Sequence, residues 1–236
     1  MTKLAVLSDI HANWYALECV INTWEYKSCG LVVFCGDAVG YYYHAEKVIN
    51  YLKTNISYGI KGNHDEILQL FMESNKPIIN DYTNRYGSGL IRTVDVISNS
   101  DYRWLINLPE TLEITLENKT ILVCHGSPLE KNGYIYQDSP GEIIESIFRL
   151  NYDCVIFGHS HYQFVFEKNN QIIVNAGAVG QPRDRGGYAG WVVITLNANS
   201  IDVQLQRTKF DVSRLLKDIK LFDPQNEYLS KVLVRG

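Results

Sequence analysis

The chain has 236 residues, 46% of them apolar and 12% aromatic, enough for one large domain with a buried core. Its formal net charge of −4 offers no basic footprint for a nucleic-acid polymer, so a phosphorylated substrate would need a local positive device such as bound metal ions. No apolar run approaches the ~20 residues of a membrane-spanning helix, and the first one meets an acid too soon for a signal peptide.

That first run, residues 3–7, reads as a strand that stops at Asp9-Ile-His11. A carboxylate and an imidazole at the carboxyl edge of a sheet can converge on one divalent cation of the Mn, Fe or Zn kind. Residues 14–26 follow with a helical period at Tyr15, Leu17, Val20, Ile21 and Trp24. A strand over 31–35 ends in Gly36-Asp37, a helix over 44–53 follows, and a strand over 56–60 ends in Gly62-Asn-His-Asp65. Strand and helix in alternation predict a parallel α/β sheet with right-handed crossovers.

Residues 66–108 read as a mainly helical, aromatic-rich insertion with a soft joint at Ser74-Asn-Lys-Pro77. Residues 112–116 and 120–124 predict a hairpin, whose second strand ends in His125-Gly-Ser-Pro128. A helix over 141–150 leads to a strand over 153–157, ended by Gly158-His-Ser-His161. Strands over 162–167, 171–174, 191–195 and 201–207 come next, then an amphipathic helix over 211–221 and a polar tail. The chain shows no linker or repeat, so a single domain over 1–236 is expected. Cysteines 19, 29, 35, 124 and 154 form no Cys-x-x-Cys pair, and three of them lie in apolar strand-like runs. Buried free thiols in a reducing cytoplasm are the expectation.

Five strand-like runs thus end in metal-competent groups: Asp9 with His11, Asp37, Asn63 with His64, His125, and His159 with His161. Five of the six histidines lie at such ends, a recurrence that core packing does not produce. Carboxylates, one neutral amide and imidazoles suit a two-metal site, with ions ~3.5–4 Å apart clamping a displacement at phosphorus.

As an ordered set, Asp-x-His, Gly-Asp, Gly-Asn-His-Asp, His and Gly-His-x-His resemble the signature of the calcineurin-like metallophosphoesterases over residues 8 to about 161. The resemblance implies an α/β fold, a four-layer αββα sandwich with the metals at one edge. It also implies roles: Asp9, His11 and His161 on one metal, Asn63, His125 and His159 on the other, and Asp37 bridging. His64, beside the metals, would give a proton to the leaving group as imidazolium, while water activated between the ions attacks in line. Gly36-Asp-Ala-Val-Gly-Tyr41, His125-Gly-Ser-Pro128 and Asn175-Ala-Gly-Ala-Val-Gly-Gln-Pro-Arg-Asp184 look like the small bacterial and archaeal phosphodiesterase branch.

Around this set, Arg183 offers a guanidinium fork to a phosphate oxygen, whereas Arg185 reads as a solvated turn. Asn13 could bond the same phosphate or cap the loop, and Asn175 is expected to order the turn after its strand. Tyr41-Tyr-Tyr43 could wall the site or pack the loop against the helix over 44–53, and the packing reading is preferred. His44 reads as a helix start, and Tyr82, Tyr86 and Trp104 as core. Phosphoprotein phosphatases carry a second acid and an arginine where this chain has Gly40 and Tyr41, which leaves His64 without an identified acidic partner.

The expected function is therefore a dinuclear phosphodiesterase acting on a small, nucleotide-like diester. A dinucleoside polyphosphate hydrolase or phosphomonoesterase is the alternative, and a non-catalytic metal-binding scaffold, like the retromer subunit that resembles this family, is third. The metals are two divalent ions, Mn2+ first and Fe, Zn, Ni or Co as options, since N/O ligation accepts each.

Overall fold

The structure, a computed structural model, describes residues 1–73 and 76–235. The first strand, β1 (Thr2–Leu7), sets the layering. Leu4 and Val6 join one apolar cluster, Ala5 and Leu7 join another, and all four are fully buried. A strand buried on both faces needs a layer on each side. The remaining strands are β2 (Leu31–Phe34), β3 (Tyr58–Gly59), β4 (Thr111–Leu116), β5 (Lys119–Cys124), β6 (Cys154–Phe157), β7 (Gln163–Lys168), β8 (Gln171–Ala176), β9 (Tyr188–Leu196) and β10 (Ile201–Lys209). They form two five-stranded sheets, ordered β10-β9-β1-β2-β3 and β4-β5-β6-β8-β7.

Between the sheets lie Leu4, Val6 and Val33 from one side and Ile121, Val123, Ile156 and Val174 from the other. On the outer face of the first sheet, Leu7, Phe34 and Trp191 pack against α1 (Trp14–Ile21), α3 (Ala45–Asn55) and α9 (Val212–Phe222). That same cluster takes in α4 (Asn63–Met72), α6 (Gly89–Val96) and α7 (Asn99–Ile106), so the segment expected as an insertion is built into the core through Leu68, Leu90 and Leu105. On the outer face of the second sheet, Val155, Phe157 and Ile173 meet Ile144 and Ile147 of α8 (Gly141–Phe148). Two mixed sheets flanked by helices are the architecture the resemblance implied.

Three details differ from the sequence reading. The helix over 14–26 breaks at Asn22-Thr23, because the Thr23 hydroxyl accepts from Tyr26 N–H and starts the short α2 (Trp24–Lys27). Trp24 consequently lies 80% exposed instead of facing the core. The first sheet is mixed, since β9 runs antiparallel to β1. After α9 the chain is not a polar tail but α10 (Glu227–Leu233), which buries Leu229, Val232 and Leu233 at helical spacing. The joint expected at Ser74-Asn-Lys-Pro77 falls in part outside the described residues, with α5 (Lys76–Tyr86) following it.

β1, β2 and β3 run parallel, as do β5 and β6, so within each sheet these strands deliver their carboxyl ends to one edge. All five predicted metal-competent endings lie there.

Candidate metal centre

The loops at that edge hold one another in shape. After β1, the Asp9 N–H donates to Gly36 O, Ile10 and His11 N–H to Asp37 O, and Ala12 N–H to Ala38 O, at 2.8–3.0 Å. Asp65 accepts from the N–H groups of Asp37, Ala38, Val39 and Gly62 at 2.9–3.2 Å. It therefore ties two of these loops together and does not serve His64. Asp9, His11, Asp37, His159 and His161 all have left-handed backbones, with φ of 49–65°. Such conformations cost about 1–3 kcal/mol each for non-glycine residues and persist only where the surroundings impose them. Close approach matters too: a Cβ on Gly158 would collide with the side chains of Ser8 and Asp9.

The same frame sets which nitrogen of each imidazole faces inward. A carbonyl can only accept, so each ring nitrogen bonded to one must donate. His11 Nδ1 bonds Val39 O at 3.0 Å, His125 Nδ1 bonds Cys35 O at 2.8 Å and His161 Nδ1 bonds Gln181 O at 2.7 Å. His159 is reversed, its Nε2 3.3 Å from Asn132 O and its Nδ1 turned inward. The free nitrogens then crowd in pairs, His11 against His161 and His125 against His159, each 3.3 Å apart.

The carboxylates are oriented likewise. Asp9 Oδ2 accepts from Ser8 Oγ and His159 N–H, and Asp37 Oδ1 accepts from His64 N–H. Their other oxygens, Asp9 Oδ1 and Asp37 Oδ2, are buried without a hydrogen-bond partner. Asp9 Oδ1 lies 3.1 Å from His161 Nε2 and 3.7 Å from His11 Nε2. Asp37 Oδ2 lies 3.2 Å from His125 Nε2 and 3.7 Å from His11 Nε2. Asn63 Oδ1 completes the set, 3.0 Å from His125 Nε2. Buried acceptors converging on one another need cations. Asp9, His11 and His161 form one metal-competent group, and Asp9, Asp37 and His125 another, with ligand atoms within 4.8 Å of one another in each.

Protonation follows the same crowding. Burial opposes charge on Asp9 and Asp37, but the neighbouring histidines, His161 for Asp9 and His125 for Asp37, hold both below the usual carboxylate range. Burial also opposes a proton on His125, yet Asp37 pushes its pKa up to about 10. A proton and a cation therefore compete for the same carboxylate-facing nitrogen.

His64 lies in the first turn of α4 beside this cluster, its ring 4.8 Å from that of His11. Its Nδ1 lies 2.5 Å from the Tyr82 hydroxyl of α5, so its partner is a phenol and not an acid. Burial pushes His64 down to about 3, which favours a neutral ring near pH 7 over the expected imidazolium. A neutral ring with Nδ1 accepting from Tyr82 would carry its proton on Nε2.

Arg183 lines the same cleft, with Nη2 3.4 Å from the Tyr41 hydroxyl and Nε without a partner. The cleft, about 110 Å³, is also lined by Tyr41, Tyr86, Tyr134 and Tyr228. Asn13 does not reach it: fully buried, it accepts from Ala16 N–H and donates to Gly180 O at 2.8 Å. Both ends of its amide serve the backbone, so the substrate contact expected for Asn13 is withdrawn in favour of the loop cap. Asn175 donates to Gly158 O and Ser160 Oγ, ordering the Gly-His-Ser-His turn. His44 precedes α3 and bonds Asp218 at 2.9 Å, and Arg185 stacks on Tyr188.

Three tyrosines reach the centre, and two of them, Tyr82 and Tyr134, were not expected there. Tyr82 is core, as expected, but its hydroxyl is the polar partner of His64. Tyr41 packs edge-on against His11 at 4.5 Å, whereas Tyr42 is buried in the helical core as the packing reading required. Tyr134 stacks on His159 at 4.1 Å from a loop with no motif. Only Tyr41, directly after the Gly-Asp motif, gave a signal.

The chain belongs to the calcineurin-like phosphoesterase superfamily, whose domain matches residues 2–199. An uncharacterized protein of Methanocaldococcus jannaschii, MJ0912, is 29% identical over 92% of either chain. The hypothetical protein PH1004 from Pyrococcus horikoshii OT3 superposes with a TM-score of 0.83 at 20% identity, covering 100% of this chain and 99% of its own. A metallophosphoesterase from Sphaerobacter thermophilus gives 0.80 at 22% identity over 98% of each chain. The two structural likenesses concern the fold.

Proposed function

We propose that this phosphoesterase is a phosphodiesterase for small diesters that works with two divalent ions, Mn2+ foremost. The observation that carries the proposal is the pair of unpartnered buried oxygens, Asp9 Oδ1 and Asp37 Oδ2, amid inward-facing imidazole nitrogens. Asp9, His11 and His161 would hold one ion and Asn63, His125 and His159 the other. Asp37, within 3.7 Å of His11 on one side and 3.2 Å of His125 on the other, would be shared between the ions. Bound there, the ions would offset phosphoryl charge and activate water.

The chain's own groups complete the reading. Arg183 would bind a non-bridging phosphate oxygen and orient the ester. His64 would place its Nε2 proton near the departing oxygen, its ring held by Tyr82. Among the described residues, Arg183 is the only cationic side chain lining the cleft, and tyrosines make up much of the rest. One guanidinium and an aromatic wall suit a singly charged diester better than a doubly charged monoester.

Turnover of bis-p-nitrophenyl phosphate beside p-nitrophenyl phosphate, with Mn2+ restored to chelator-stripped protein, tests the reading. Preference for the diester, lost in Asp37→Asn, is expected. Preference for the monoester would favour the phosphomonoesterase alternative. Metal binding without turnover of either would point to dinucleoside polyphosphates or to a scaffold.

A further inference from the structure

The cleft at the metal centre, about 110 Å³, has room for a phosphoryl group and little more. Arg183 forms part of its wall and also lines a second cavity of about 840 Å³. Only the second lies in the size range of ordinary small-molecule sites, ~300–1,000 Å³. Its lining combines Tyr136 and Tyr162 with Gln137, Asp138 and Arg207.

Aromatic rings connect the two spaces. Tyr134 stacks on His159 at 4.1 Å, Tyr136 lies parallel to Tyr134 at 6.1 Å and 6°, and Tyr162 meets Tyr136 edge-on at 5.8 Å. Tyr134 and Tyr136 are 50% and 37% exposed, so the row keeps ring surface open to a ligand. The loop that carries them is fixed at both ends of the row: Asn132 O holds His159 Nε2, and Tyr136 N–H donates to Ser139 Oγ at 2.8 Å. Ring faces bordered by amide, carboxylate and guanidinium groups fit a flat heterocycle with polar edges. An acyl chain would strip water from Gln137 and Asp138 and offer them no partner.

We infer that this cavity binds a nucleoside substituent of the diester, its base stacked on Tyr136 and its phosphate reaching the metal cleft past Arg183. The inference rests on the diesterase reading and names its substrate class. Asp138 and Gln137 would meet the base edge, while Arg207, paired with Asp184 at 2.7 Å, keeps the far wall in place.

Two diesters with one leaving group test it: the p-nitrophenyl ester of thymidine 5′-monophosphate and ethyl p-nitrophenyl phosphate. The wild-type protein with Mn2+ should prefer the nucleoside ester, and Tyr136→Ala should cut that preference about tenfold, mainly through KM, while Tyr136→Phe keeps it. Calorimetric titration of thymidine 5′-monophosphate into the metal-loaded protein gives a readout independent of turnover, with Kd rising about tenfold in Tyr136→Ala. Equal kcat/KM for the two esters, or an unchanged Kd in Tyr136→Ala, would overturn the subsite and leave the diesterase reading standing. Hydrolysis of neither ester would overturn the diesterase reading, and the nucleotide titration would then decide the subsite alone.

Discussion

Replacing Tyr82 with Phe removes a single oxygen, the one 2.5 Å from His64 Nδ1. Both side chains are buried, so no water substitutes for the lost partner. An unsatisfied buried polar group costs about 1–3 kcal/mol, which for a chain of this size lowers Tm by roughly 2–12 °C. The larger consequence concerns proton placement. Without the phenol, nothing on the Nδ1 side keeps the ring proton on Nε2, and the leaving group loses its donor for part of the time. The effect should follow leaving-group basicity. For a nucleoside 2′,3′-cyclic phosphate, which expels an alkoxide, kcat should fall at least tenfold, because the neutral ring hydrogen-bonds the developing oxyanion, which takes its proton from water afterwards. For bis-p-nitrophenyl phosphate, whose leaving group needs no proton, it should fall less than about threefold. Steady-state kinetics on both esters, with bound metal counted in each preparation, reads the difference. Equal losses on the two esters, or none on either, would refute the assignment of Tyr82 as the positioning partner of His64.

Three further outcomes follow from the geometry. Asp65→Ala strands the N–H groups of Asp37, Ala38, Val39 and Gly62, so it should destabilise the fold by several kcal/mol, readable by urea titration, and abolish metal binding. Gly158→Ala places a methyl group against Ser8 and Asp9 and should weaken metal binding at least tenfold by calorimetry, since Asp9 must move. Protons compete with metal for His125, which Asp37 pushes up to about 10, so apparent metal affinity should rise with pH between 6 and 8, by about tenfold per unit for one displaced proton; an affinity that falls over that range would contradict this.

Much of the centre was legible because each ligand follows a strand, and strands are short apolar runs with clear ends. Asp9, Asp37, His125 and His159 could be placed at strand ends from the apolar pattern, and the family resemblance implied that those ends meet at one edge. Asn13 shows where that reasoning stops: two residues past His11, it was an equal prospect for substrate and for cap, and only its bonds to Ala16 and Gly180 decide. Tyr82 and Tyr134 come to the centre from a helix and a loop distant in sequence, and neither stands in a motif. The two-residue β3 and the buried α10 follow from tertiary packing, the first because residues 56–60 pair only briefly with β2, the second because Leu229, Val232 and Leu233 lie among polar residues. Sequence pattern located the ligands, while the groups that orient them and shape the substrate's path depended on the fold.

The most direct test of the central claim is the Mn2+ stoichiometry of chelator-stripped protein by equilibrium dialysis, for the wild type and Asp37→Asn. Two ions per chain are expected in the wild type and at most one in the variant, with phosphodiester turnover appearing only as the second ion binds. Fewer than one ion bound per wild-type chain, or two bound with unchanged turnover in Asp37→Asn, would contradict that claim.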